Sequence, residues 1–190
     1  MFDLLCATSD QWPKKVCSDL DAFLIDHAAC ERKASATAMS FVVKYRDHQY
    51  LVEAMITVAQ EELDHFAQVT RLVHARGKQL GSDQKDPYVN ALLKCARHSP
   101  KERLIDRLLI FGIIEGRGCE RFHLLSQHLH DPELRNFYAE LVRSEARHHA
   151  AFLSIVRKLA PKEEWKPRLQ ELLKQEAHIV SQLPIRAALH

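Results

Sequence analysis

Apolar residues recur along this chain at three- and four-residue spacing, in four long stretches and one shorter one, the periodicity of amphipathic helices. The first predicted helix runs from Pro13 to Tyr45, with Leu24, Ala28, Glu31, Ser35, Ala38 and Val42 on one face. The second runs from Asp47 to Arg76. Met55, Val58, Glu62, His65, Val69 and Leu72 share its stripe, and Gly77 supplies the stop. Residues 77–99 carry Gly81-Ser-Asp, Asp86-Pro87 and Ser99-Pro100, which predict one long crossover with a short helix near Val89–Ala96. The third helix starts at Pro100 behind Ser99 as its cap, striped by Leu104, Leu108, Phe111, Glu115, Gly118 and Phe122. Asp131-Pro132 opens the fourth, where Leu134, Tyr138, Leu141, Glu145, His148, Phe152 and Ile155 line up. Pro161 opens a fifth amphipathic segment reaching about Gln182, expected to pack outside the other four.

Two short hairpins joined by one long crossover are the ferritin-like topology, so the expected fold is an all-α, ferritin-like four-helix bundle with an extra C-terminal helix. Six polar residues interrupt its apolar stripes in a repeated pattern. Glu31 is followed 31 residues later by Glu62-Leu-Asp-His65, and Glu115 is followed 30 residues later by Glu145-Ala-Arg-His148. If the hairpin turns lie near residues 47 and 131, each lone Glu and its Glu-x-x-His reach the same height to within about 3 Å.

One Glu-x-x-His alone is a weak signal. A third, Glu120-Arg-Phe-His123, points about 140° away from Glu115 around the helix axis and reads as surface or supporting structure. Four glutamates at matched heights inside apolar stripes are a stronger one. Buried unpaired carboxylates each cost several kcal/mol and repel one another, and two divalent metals cancel the four charges. A Glu-x-x-His places carboxylate and imidazole one turn apart on one face. The predicted metal ligands are therefore Glu31, Glu62, His65, Glu115, Glu145 and His148, around two iron ions with manganese as the alternative. The set is too rich in oxygen for structural zinc.

Composition narrows the class further. The 190 residues, 46% hydrophobic and 27% charged, suit a single soluble domain over residues 1–190. No apolar run approaches a membrane span, and Met1-Phe-Asp-Leu-Leu-Cys6 has neither the basic start nor the apolar run of a secretory leader, so a cytoplasmic protein is expected. Five cysteines without Cys-x-x-Cys spacing read as reduced thiols, not a disulfide frame or a rubredoxin-type centre. The net charge of +2 neither demands nor excludes a nucleic-acid partner. The basic clusters Lys14-Lys15, Arg32-Lys33, Lys44-Tyr-Arg46, Arg71 to Lys78 and Arg157-Lys158 read as solvated helix faces, and amount to a nucleic-acid surface only if they converge in space. Gly112, Gly116 and Gly118 surround Glu115 in mid-helix, each costing about 1 kcal/mol relative to alanine. Close helix approach and a locally opened helix both account for them. Asp64 and Arg147 are either partners that orient the histidines or solvated charges, and the remaining histidines, His27 among them, need no special role.

At these residues the chain resembles the tRNA 2-methylthio-N6-isopentenyladenosine hydroxylases, a family of non-haem di-iron monooxygenases. The resemblance rests on Asp26-His-Ala-Ala-Cys-Glu31-Arg-Lys-Ala34, Glu61-Glu-Leu-Asp-His-Phe66, Leu104-Ile-Asp-Arg107, Ile114-Glu-Gly-Arg-Gly-Cys-Glu-Arg-Phe122, Phe137-Tyr138 and Arg143-Ser-Glu-Ala-Arg-His148, spread over all four helices. It places the family's iron ligands on the same six residues. It implies O2-dependent hydroxylation of the isopentenyl group on the modified adenosine beside the tRNA anticodon, with electrons from an external donor, an electron-transfer reductase. No membrane partner is expected, since no apolar run is long enough for a span. A monomer is expected. The turn near Asp47 is shorter than in some members. The modified base is expected at a cleft beside Glu115, along the Gly112–Gly118 wall, with Arg117 and Arg121 as candidate phosphate contacts. The competing reading is a ferritin- or rubrerythrin-like protein that oxidises iron or reduces peroxide. A metal-free helical scaffold conflicts with four buried glutamates.

Overall fold

The computed structural model describes residues 4–190. Met1–Asp3, part of the segment read above for a leader, lie outside the described residues. Seven helices and no strand occur among the described residues: α1 (Gln11–Ser18), α2 (Leu20–Lys44), α3 (Gln49–Ala75), α4 (Pro87–Lys94), α5 (Pro100–His128), α6 (Pro132–Leu159) and α7 (Lys162–Gln182). None of them is long and apolar enough to cross a membrane. The element order is that of the predicted all-α fold, with one correction at its start. The expected helix from Pro13 to Tyr45 breaks at Asp19, whose carboxylate accepts from the Ala22 N–H at 3.3 Å and so caps a new helix, α2.

One compact unit comprises Lys15–Gln84 and Arg186–Leu189, with α2 and α3 paired as a hairpin. The turn between them is only residues 45–48. Ser35 Oγ donates to the Ala59 carbonyl at 2.8 Å, a contact that needs the two backbones close together. Phe41 is fully buried while Val42 is partly exposed, so the apolar face of α2 drifts by one position from the expected stripe. Gly77 closes α3 at φ +70°, where a Cβ would be disfavoured. Its N–H meets the His74 carbonyl at 2.9 Å, and Lys78 N–H meets that of Val73 at 3.1 Å, the paired bonds of a Schellman ending. The basic residues here are engaged: Arg32 holds Asp83, Lys33 donates to the Gln84 carbonyl, and Arg76 and Lys78 pair with Asp21.

The other unit comprises the described residues up to Lys14, Lys85–Ile185 and His190. Here α5 pairs with α6, and α7 packs against α4, α5 and α6. The helix starts follow local chemistry. Asp86 accepts from Val89 N–H at 3.0 Å, and Asp131 accepts from Glu133 and Leu134 N–H at 2.8 and 3.3 Å, each with proline next. Ser99 occupies the cap position of α5, yet its hydroxyl donates to the Glu102 carboxylate and caps no backbone N–H. Burial continues around much of α5, including Ile105, Leu109 and Ile113, which lie off the expected stripe. Each such side chain contributes about 1.5–3 kcal/mol on leaving water. Asp106, fully buried, accepts from Arg97 and Arg168, which fastens the preceding loop and α7 to α5. Burial alone would raise its pKa, but the two arginines hold the carboxyl below its ordinary value.

Candidate metal centre

In the α2–α3 unit, Glu31, Glu62 and His65 are 4%, 0% and 7% exposed. Glu62 and His65 stand at i, i+3 on α3, and the short turn brings Glu31 of α2 level with them. His65 Nδ1 lies 3.3 Å from Glu62 Oε2 and 4.0 Å from Glu31 Oε2. One donor atom from each of the three falls within 4.8 Å of the others, as a shared cation requires.

The α5–α6 unit repeats the arrangement. Glu115, Glu145 and His148 are 8%, 3% and 2% exposed, and their donor atoms also lie within 4.8 Å of one another. His148 Nδ1 lies 3.8 Å from Glu145 Oε2. The glycines nearby serve approach between helices. A Cβ built on Gly118 would stand 4.0 Å from Cγ and Oε2 of Glu145, and the Gly112 carbonyl pairs with His149 Nδ1 at 3.0 Å. The helix is regular from Pro100 to His128, so no bulge opens it.

Each trio thus offers two carboxylates and one imidazole in surroundings that exclude most water. That donor set suits iron or manganese, and a divalent cation offsets the repulsion between the buried carboxylates.

Several residues stand elsewhere than expected. Arg117 is not at a cleft: it is fully buried on the face of α5 away from Glu115. Its Nε and Nη2 donate to Glu176 Oε1 at 2.9 and 2.7 Å, Nη2 also to the Cys6 carbonyl, and Nη1 to Thr8 Oγ1 and the Glu120 carboxylate. Tyr88 donates its hydroxyl to the same Glu176 oxygen at 3.0 Å. Arg121 is buried over the Trp12 ring at 5.1 Å, and burial pushes its pKa down to about 10. Arg117 clamps the N-terminal segment and α7, Arg121 donates to Thr8 Oγ1 at 3.4 Å beside its Trp12 contact, and both are internal, not candidates for phosphate contact. The nearly unbroken apolar run from Leu108 to Ile114 was the available signal that α5 is covered on more than one face.

Glu120 accepts from Thr8 N–H and Oγ1 at 2.9 and 2.7 Å, and His123 is exposed, so the third Glu-x-x-His belongs to this clamp and the surface. Asp64 is exposed, and Arg147 donates to Ser144 Oγ at 3.1 Å. His27, given no role by sequence reasoning, is fully buried with Nε2 2.5 Å from Glu31 Oε1. Its i, i+4 spacing to a stripe glutamate is the signal in the sequence for this pairing.

Comparison with known proteins adds an independent line. A family model described as tRNA-(MS[2]IO[6]A)-hydroxylase (MiaE) matches residues 2–190. A Pseudomonas putida protein named tRNA 2-(methylsulfanyl)-N(6)-isopentenyladenosine(37) hydroxylase is 41% identical over 150 residues, covering 79% of this chain and 73% of that one. A Salmonella typhimurium protein of the same name is 34% identical over 135 residues, 71% of this chain and 49% of its own length. Among solved structures, "Protein 43 with aldehyde deformylating oxygenase activity from Synechococcus" is similar over 100% of this chain and 96% of its own, at 34% identity and a TM-score of 0.94.

Proposed function

The chain belongs to the tRNA-(MS[2]IO[6]A)-hydroxylase (MiaE) family, and on that premise we propose that it hydroxylates the isopentenyl group of 2-methylthio-N6-isopentenyladenosine beside the tRNA anticodon, using two irons held by Glu31, Glu62, His65, Glu115, Glu145 and His148. It is an enzyme of a hydroxylase family on a ferritin-like, all-α fold. The observation that carries the site is the repetition of one trio in both helical hairpins. Four carboxylates and two imidazoles are the ligand complement of a carboxylate di-iron centre.

When bound, the metal pair supplies dioxygen activation. The overall reaction puts one oxygen atom into a C–H bond and reduces the other to water, taking two electrons and two protons from an external reductase system. The protein's own contribution is to hold the ligands of each hairpin in place within stripes of buried apolar residues, Leu108 and Phe111 on α5 and Phe152 on α6 in one, Val58 and Val69 on α3 in the other. An unstacked anticodon-loop base suits this chemistry, because its alkyl tail reaches inward while the nucleotide stays outside. The whole chain serves as one di-iron domain and works in the cytoplasm, where its tRNA substrate is.

Nucleoside analysis of tRNA from cells lacking the protein, then complemented with variants, tests this reading. Its loss should accumulate the unhydroxylated methylthio-isopentenyl nucleoside. The wild type and Glu120→Gln, which keeps an acceptor for Thr8, should restore hydroxylation, and Glu115→Ala should not. Unchanged tRNA in the deletion strain would overturn the substrate. Restoration by Glu115→Ala together with failure of Glu120→Gln would overturn the assignment on α5.

A further inference from the structure

His27 sits one turn before Glu31 on α2, so the two side chains share a face. The imidazole is fully buried, with the Phe23 ring tilted against it at 5.7 Å between centroids. Its Nε2 approaches Glu31 Oε1 to 2.5 Å, while the other oxygen of that carboxylate, Oε2, lies 4.0 Å from His65 Nδ1. The carboxylate is therefore divided between two jobs, one oxygen on His27 and the other turned towards the remaining donors of the trio. The terminal torsion of a glutamate is broad, so a lone Glu on an apolar stripe has no intrinsic preference for presenting one oxygen. A packed imidazole N–H supplies that preference.

We propose that His27 is a positioning residue for the metal centre: its Nε2–H holds Glu31 Oε1 so that Oε2 is presented to a metal ion. The proposal rests on Glu31 being a ligand, and the experiment separates the two ideas. Hydrogen bonds that orient a ligating group typically alter metal affinity by about 10–100-fold when removed.

The test is anaerobic titration with ferrous iron, and in parallel with cobalt(II), of the wild type, Glu31→Ala, His27→Leu, His27→Asn and His27→Gln. Metal stoichiometry, dissociation constants and the visible cobalt absorption are read, with the thermal midpoint of each metal-free variant as a folding control. Glu31→Ala should lose at least one metal; if it binds two with wild-type affinity, Glu31 is no ligand and the underlying reading fails. His27→Leu should keep both metals but bind one about 10–100-fold more weakly, with a changed cobalt spectrum. His27→Asn keeps a polar amide too short to reach Oε1. It should behave like His27→Leu and serves in its place if that variant does not fold. His27→Gln, whose amide nitrogen occupies nearly the position of Nε2, should recover affinity and spectrum. Wild-type affinity and spectrum in His27→Leu or His27→Asn would reduce His27 to core packing. Failure of His27→Gln to rescue would also overturn the proposal. Loss of one whole metal equivalent in every His27 variant would make His27 itself a ligand.

Discussion

Arg117 shows how much a single buried charge depends on its surroundings. Its fully buried guanidinium reaches the equally buried Glu176 of α7, the half-buried Glu120 of its own helix and the N-terminal Cys6 and Thr8. Removing one member of such a set strands the others. Arg117→Met should therefore cost about 3–5 kcal/mol in a denaturant titration, mostly because Glu176 is left buried and uncompensated. The double variant Arg117→Met/Glu176→Met should recover most of that loss. Weakened tRNA binding at unchanged stability would instead return Arg117 to a substrate surface.

At the scale of the helix, α5 carries both a proposed ligand, Glu115, and, three residues on, a glycine that faces α6. Gly118 faces Glu145 with only ordinary van der Waals room for a methyl group. Gly118→Ala should keep full metal content and hold or raise stability, since alanine is favoured over glycine in a helix by about 1 kcal/mol. Gly118→Leu must displace the Glu145 side chain. It should cost about 1–3 kcal/mol by overpacking and lower the bound metal per chain, measured by thermal denaturation and metal analysis. Wild-type metal content and stability in Gly118→Leu would mean that the space beside Glu145 is slack. The stripes of α3, α5 and α6 were readable because helical periodicity and capping depend on residues three or four positions apart. The break at Asp19 is hidden in the sequence, because Val16 and Leu24 continue the apolar pattern across it and only the cap hydrogen bond marks the new start.

For the whole molecule, metal ligation by the four carboxylates of the two trios, as proposed, would make metal binding a folding term. Ferrous iron added anaerobically at about 100 times its dissociation constant should then stabilise the folded chain by about 2.7 kcal/mol per site. For a chain of this size that is a rise of roughly 5–10 °C in the thermal midpoint for each site filled. A chelator should reverse the shift, and Glu145→Ala should diminish it. A midpoint indifferent to iron and chelator alike would argue against metal ligation by these residues.

By itself the sequence determined the helices apart from the break at Asp19, their order, the matched levels within each hairpin and the six candidate ligands. Those features arise from periodicity, capping and the cost of placing a carboxylate on an apolar stripe, all properties of neighbouring residues. Tertiary structure alone decided which charges are internal. Arg117 and Glu176 are 59 residues apart, and Arg168 and Asp106 are 62 apart, and no local pattern distinguishes them from solvated helix charges. The role of His27 falls between the two: its spacing from Glu31 is written in the chain, but its burial and the division of the Glu31 oxygens exist only once α2 lies against α3, because the direction of a carboxylate is set by the donors that folding brings to it.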